Sequence, residues 1–102
     1  MADDVVIVAG TFTVDPDRRD EFLQGRLESI RDSRKDRGCL AYAMSADAVD
    51  PAVVRLFEMW TSLEDLQAHV QRIQAQPPAQ NGVPLLDRDM KIYVHAEEQP
   101  FG

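Results

Sequence analysis

Several stretches of the chain are apolar without a helical period. Val5–Val14 carries no charge, is rich in β-branched residues, and lies between Asp3-Asp4 and Asp15-Pro16, which is the pattern of a strand. Cys39–Ala46 and Val53–Trp60 also read as strands. The turn-forming run Asp47-Ala-Val-Asp50-Pro51 between them predicts an antiparallel hairpin. Met90–Ala96 is the last predicted strand, and the tail to Gly102 reads as frayed.

Helical spacing fills the gaps. Asp15 suits an N-cap, Pro16 the first helical position, and Asp17 the positive end of the helix dipole. Phe22, Leu23, Leu27 and Ile30 then form one apolar stripe, with Lys35 and Arg37 near the end and Gly38 as a left-handed stop. Thr61 or Ser62 caps a second helix, with Glu64 or Asp65 placed for a capping box. Leu63, Leu66, Val70 and Ile73 mark its expected buried face. Gln76-Pro77-Pro78 ends it, and a loop through Asn81-Gly82-Val83-Pro84 to Arg88 follows, shaped well enough to lid a cleft or merely to connect.

The order β-α-β-β-α-β within 102 residues predicts one α+β domain, with its core over about residues 5–96. This is the split βαβ pattern of ferredoxin-like domains, in which right-handed crossovers put both helices on one face of a four-stranded antiparallel sheet. The strands, however, are apolar on both faces. Val5 and Ile7 oppose Val6, Val8 and Phe12; Leu40, Tyr42 and Met44 oppose Cys39, Ala41 and Ala43; Val53, Phe57 and Met59 oppose Val54, Leu56 and Trp60. Helices cover one face only, so the other predicts a homodimer in which a second copy packs on the open sheet.

Gly38-Cys-Leu-Ala-Tyr42, Asp50-Pro51, Phe57-Glu58-Met-Trp60-Thr-Ser62-Leu-Glu64 and Ala68-His69 together resemble the antibiotic biosynthesis monooxygenase domain, over about Val5 to Val94. The resemblance implies a ferredoxin-like protomer in a dimeric α/β barrel, with a cleft between sheet and helices. It also implies oxygenation of quinols, anthrones or related polycyclic phenols without metal or flavin in some members, and haem degradation in others. The haem-degrading variant is disfavoured, because the asparagine it uses on the first strand is missing and Asn81 is the chain's only one.

Charge narrows the partners. A formal net charge of -7 argues against nucleic acid and anionic membrane surfaces, since both need a basic face. The single cysteine, Cys39, forbids an internal disulfide and reads as an inert buried thiol. The acidic N-terminus lacks the basic start of a signal peptide, and no apolar run approaches the ~20 residues of a membrane span, so a cytoplasmic protein is expected. No glycine-rich nucleotide fingerprint or local metal-ligand pair is visible, which fits an expectation of no cofactor and no metal.

Cofactor-free oxygenation makes the substrate the electron donor, and the protein supplies a base, a water-excluding pocket and donors for developing negative charge. His69, beside Val70 at the edge of the second helix's stripe, is the candidate base or donor. A structural histidine bonded to a backbone carbonyl is the plainer alternative. Trp60 offers an indole N–H and a stacking surface, or simply anchors the helix that follows. Glu58, on the same strand face, is a candidate base of raised pKa, or a partner of Arg55 or of a neighbouring strand. Tyr42 can bond a substrate oxygen or pack the core, while Phe12, Phe57 and Met59 are expected as apolar walls. Tyr93 and His95 read as surface or dimer contacts. The function expected is a cofactor-independent monooxygenase of a small phenolic, quinol-like or polycyclic aromatic. The alternatives are a dimer that binds such a metabolite without converting it, and a redox-neutral isomerase or cyclase.

Overall fold

The computed structural model of the chain describes residues 5–77 and 82–102. Its elements are β1 (Val5–Thr13), a 3-10 turn at Pro16–Arg18, α1 (Arg19–Gln24), α2 (Leu27–Ser33), β2 (Cys39–Ala46), β3 (Val53–Trp60), α3 (Leu63–Gln74) and β4 (Asp87–Ala96). The sheet runs β2-β3-β1-β4 with antiparallel neighbours throughout, which is the ferredoxin-like α+β arrangement. The hairpin strands β2 and β3 have the bounds their patterns predict.

β4 begins earlier than Met90, because Asp87, Arg88 and Asp89 pair with Thr13, Phe12 and Thr11. Those charges look like loop in the sequence, but an edge strand with exposed sides tolerates them. Of the residues predicted for the loop, Pro78 and Asn81 lie outside the described residues. β1 and β4 approach closely at Gly10, where a Cβ would lie on the Asp89 carbonyl.

The first helical region is broken. The Asp15 carboxylate accepts from the Asp17 N–H at 2.9 Å, as its N-cap role predicts. The chain then stalls at Gly25–Arg26, where the Arg26 N–H bonds back three residues to the Leu23 carbonyl. A helical glycine costs about 1 kcal/mol relative to alanine, which makes this the weak point. The break turns Leu27 outward, while Phe22 and Ile30 stay in the core. Gly38 ends the region at φ +81°, and its carbonyl accepts from the Thr61 N–H at 2.9 Å, tying the end of this region to the start of α3.

α3 starts on Ser62, whose hydroxyl accepts from the Asp65 N–H. Its buried residues are Leu66 and His69, whereas Leu63 and Val70 are exposed. The expected stripe is therefore rotated. Polar contacts made by His69 and Arg72 set the helix's orientation in place of Val70.

On the helix side of the sheet, Val6, Val8 and Phe12 meet Val54, Leu56, Glu58 and Trp60. Ile7, Ala9, Phe57, Met59, Ala41 and Ala43 share the open side. β2 departs from simple alternation. Cys39 pairs with Trp60 and Ala41 with Met59, so Leu40 is an extra residue, a bulge. Cys39 thus joins Tyr42 on the helix side instead of opposing it, and Leu40 is left exposed. The β2–β3 turn is held by Arg19, whose guanidinium donates to the carbonyls of Asp47, Asp50 and Val53 at 3.1, 2.8 and 3.2 Å.

Candidate functional site

The helix-side face of β3 presents Glu58 and Trp60 two residues apart. β2 places Tyr42 opposite Glu58 in register. α3 lays His69 over all of them, its ring centroid 4.6 Å from Trp60 and 5.4 Å from Tyr42. The four are buried together.

Two carboxylates flank the imidazole. Nδ1 lies 2.7 Å from Asp36 Oδ2, and Nε2 lies 3.9 Å from Glu58 Oε1. The same Glu58 oxygen accepts from the Trp60 indole N–H at 3.0 Å. Arg72 grips Asp36 through Nε to Oδ1 and Nη2 to Oδ2, both at 2.8 Å, and reaches the Ser33 hydroxyl at 3.3 Å. Every fully buried side-chain nitrogen and oxygen among the described residues has a hydrogen-bond partner.

The surroundings tune these groups differently. Burial pushes the Glu58 carboxyl up, and the Trp60 donor and the nearby His69 offset this only in part. Burial, then the neighbouring Glu58 charge, pushes the Tyr42 hydroxyl up to about 12, against a hydrogen bond with Ser33. For Asp36, burial pulls upward, but the bonds from Arg72 and His69 win and hold the carboxyl below its usual range. Burial and the charges of Glu58 and Asp36 push the Cys39 thiol up, but the side chain is only half-buried and lines a cleft at the β2 edge, not fully buried as the sequence suggests.

Two surface clefts reach this cluster. One of about 270 Å³ is lined by Asp36, Arg37, Glu64, Asp65, Ala68, His69 and Arg72. The other, about 350 Å³, runs along the β2 edge past Arg34 and Cys39 to Ala43 and reaches Tyr42. His69 lines the first and Tyr42 the second, and their rings pack edge-on with centroids 5.4 Å apart.

Of the residues singled out from the sequence, His69, Trp60, Glu58 and Tyr42 converge. Phe57 and Met59 do not, because strand alternation sends them to the open face. Phe12 is on the helix side but at the far end, paired with Val54 and packed edge-on against Phe22. Glu58 takes Trp60 as its partner and not Arg55, which bonds Asp47 at 2.7 Å from the open side. Asp36, Arg72 and Ser33 join the cluster without a local sequence pattern that singles them out as a group. Arg72 carried a signal, since it sits three residues after His69 on the same helical face. Asp36 was hidden inside the charged helix end from Arg34 to Arg37. Among the described residues, no group of three or more His, Cys, Asp or Glu side chains is placed to hold a metal. No helix among them is long and apolar enough to cross a membrane.

A family model described as "Antibiotic biosynthesis monooxygenase" matches residues 5–77. The uncharacterized protein sll1783 of Synechocystis sp. is 32% identical over 100 residues, covering 96% of this chain and 68% of its own length. Among solved structures, a candidate antibiotic biosynthesis monooxygenase from Deinococcus radiodurans has a TM-score of 0.76 at 22% identity, covering 95% of this chain and 98% of its own. Another from Nitrosomonas europaea has a TM-score of 0.77 at 15% identity, covering 100% of this chain and 98% of its own. A conserved protein from Methanosarcina mazei Go1 reaches 0.76 at 19% identity, covering 90% of this chain and 93% of its own. At these identities the structural likenesses carry the fold.

Proposed function

The chain belongs to the antibiotic biosynthesis monooxygenase family, and on that footing we propose that it is a cofactor-independent monooxygenase of a phenolic or quinol-like aromatic. The observation that carries this reading is the placing of His69, a buried imidazole that lines a cleft and faces Glu58 across 3.9 Å. In this reading a substrate oxygen, entering from the cleft that His69 lines, would hydrogen-bond to both His69 and Glu58.

In this mechanism His69 takes the proton of the substrate hydroxyl, and the resulting anion gives its electrons to dioxygen. For a quinol, one oxygen atom enters the ring and the other leaves as water, so that quinol plus dioxygen becomes hydroxyquinone plus water. The substrate supplies all four electrons. The Trp60 indole and the Tyr42 hydroxyl are the proposed donors to developing negative charge, and Glu58 supports the proton transfer. Tyr42 suits this role because burial pushes its hydroxyl up to about 12, which keeps it a donor at neutral pH.

The homodimer belongs to the same proposal. Phe57, Met59 and Ile7 on the open face, with Tyr93 beside them, favour a second copy as the cover. The lone free cysteine suits a reducing cytoplasm.

Oxygen uptake by metal-stripped protein with a panel of hydroquinones and anthrones tests the reading. Turnover that falls on His69→Ala and on Trp60→Phe is expected; none above buffer across the panel sinks it. One observation favours a second reading, a binding module: the Trp60 N–H is already taken by Glu58. That reading predicts saturable binding of an aromatic whose mass stays unchanged. A redox-neutral enzyme would convert its ligand without consuming oxygen.

A further inference from the structure

We propose that Asp36, braced by Arg72, is a positioning residue that locks His69 in the tautomer with its proton on Nδ1, leaving Nε2 as the acceptor facing Glu58. The lock is a property of the resting chain. Only its catalytic consequence, a base presented at Nε2, rests on the oxygenase reading.

The geometry leaves one neutral arrangement satisfied. Nδ1 is 2.7 Å from Asp36 Oδ2, a separation that requires a proton between them. Asp36 cannot be that donor while Arg72 donates to both of its oxygens, Nε to Oδ1 and Nη2 to Oδ2 at 2.8 Å, as a guanidinium does to an ionised carboxylate. A bare Nδ1 would set its lone pair against that carboxylate. The proton of a neutral ring therefore belongs on Nδ1, and Nε2 is left bare toward Glu58. Ring rotation offers no escape, since the imidazole sits against Trp60 at 4.6 Å and Tyr42 at 5.4 Å.

The surrounding fold keeps Asp36 in place. It lies 33 residues from His69 in sequence, on the connection between α2 and β2. That connection is fixed at Ser33, whose hydroxyl meets Arg72, and at Gly38, whose carbonyl accepts from the Thr61 N–H. Arg72 and His69 project from one face of α3, so a single helix supplies both the brace and the braced group.

The test is long-range proton–nitrogen NMR of the full chain over a pH series. The chain has two histidines, and His95→Gln assigns the signals of His69. The wild type is expected to show neutral His69 with a protonated Nδ1 and a bare Nε2. Asp36→Ala should yield mixed tautomers. Asp36→Asn can offer its amide N–H to Nδ1 and should move the neutral ring toward a protonated Nε2, and Arg72→Gln should fall between it and the wild type. A protonated Nε2 in the wild type, or a ring that stays doubly protonated to the alkaline limit of folding, overturns the proposal even if Asp36→Ala fails to fold. So does an unchanged nitrogen pattern in a folded Asp36→Ala. If the enzyme turns over, Asp36→Asn should lower kcat about tenfold or more with little change in KM. A locked tautomer without turnover on any substrate leaves the lock standing and removes the oxygenase. Turnover by a protein whose Nε2 is protonated does the reverse.

Discussion

The indole of Trp60 donates to the carboxyl of Glu58 from two residues along the same strand, at 3.0 Å, with both side chains buried. Neighbours on one face of a strand ordinarily diverge into separate contacts. Here a core tryptophan and a core carboxyl satisfy one another, and His69 stands over both.

That pairing makes stability depend on pH. The Glu58 carboxyl is raised by its burial, so the fold favours the neutral form. The stabilisation is complete below the ordinary glutamic acid range and is lost as pH rises through the raised value. Glutamine cannot ionise, yet its amide oxygen can accept from Trp60. Glu58→Gln should match the wild type most closely in acid and exceed it at neutral pH by on the order of 1 kcal/mol. Urea unfolding across the pH range checks this; parallel curves for the two proteins would count against it.

Trp60→Phe removes the donor and leaves the Glu58 acceptor buried. The unmade hydrogen bond should cost about 1–3 kcal/mol, with more for the lost ring volume. A double-mutant cycle with Glu58→Leu should return a clear coupling energy. Strict additivity would mean that the bond contributes nothing.

Tyr42 should resist ionisation. Its hydroxyl is pushed from 10 to about 12 by burial and by Glu58. A raised group holds its stabilising effect below its ordinary value and loses it through the raised one, so alkaline loss of stability from Tyr42 falls between 10 and about 12. An ultraviolet tyrosinate titration, with Tyr42→Phe to assign the late phase, should resolve it; a late phase that survives the substitution refutes the assignment.

Gly38 tests the connection that carries Asp36. At φ +81°, a Cβ there would lie 2.6 Å from that of Asp65. Gly38→Ala should lose about 1–2 kcal/mol to the left-handed backbone alone, with a further loss from displacing Asp65. Thermal unfolding measures the cost, and an unaltered Tm would show that the connection relaxes freely.

The proposed dimer is open to a single substitution. Phe57 lies on the open face and contributes nothing to the His69 cluster. Phe57→Glu should shift sedimentation from dimer to protomer while Trp60 fluorescence holds. A wild-type chain that sediments as a protomer at micromolar concentration removes the dimer altogether.

Much of this was legible in the sequence because β-strands announce themselves locally. The turn between Asp47 and Pro51 and the largely apolar runs on either side suffice to bound β2 and β3. The convergence of Glu58 and Trp60 follows from period-two alternation, which equally separates them from Phe57 and Met59, although the sequence reading grouped all four. The helices were harder. Their rotation depends on polar contacts across 33 and 36 residues, from Asp36 to His69 and Arg72, and no local periodicity encodes these. The break at Gly25–Arg26 shows a single weak helix former outvoting a plausible stripe. The Leu40 bulge is likewise invisible until the partner strand supplies the register.

β3 is a partition whose two sides are told apart by parity. Even positions from Val54 to Trp60 belong to the buried chemistry, and odd positions from Val53 to Met59 belong to the outer sheet. Inserting one residue between Leu56 and Phe57 while the strand's start is held would exchange the sides of all that follows, turning the carboxyl and the indole outward and Phe57 and Met59 inward. An engineer can therefore vary either wall without touching the other, provided the count of residues between Val53 and Trp60 is left alone.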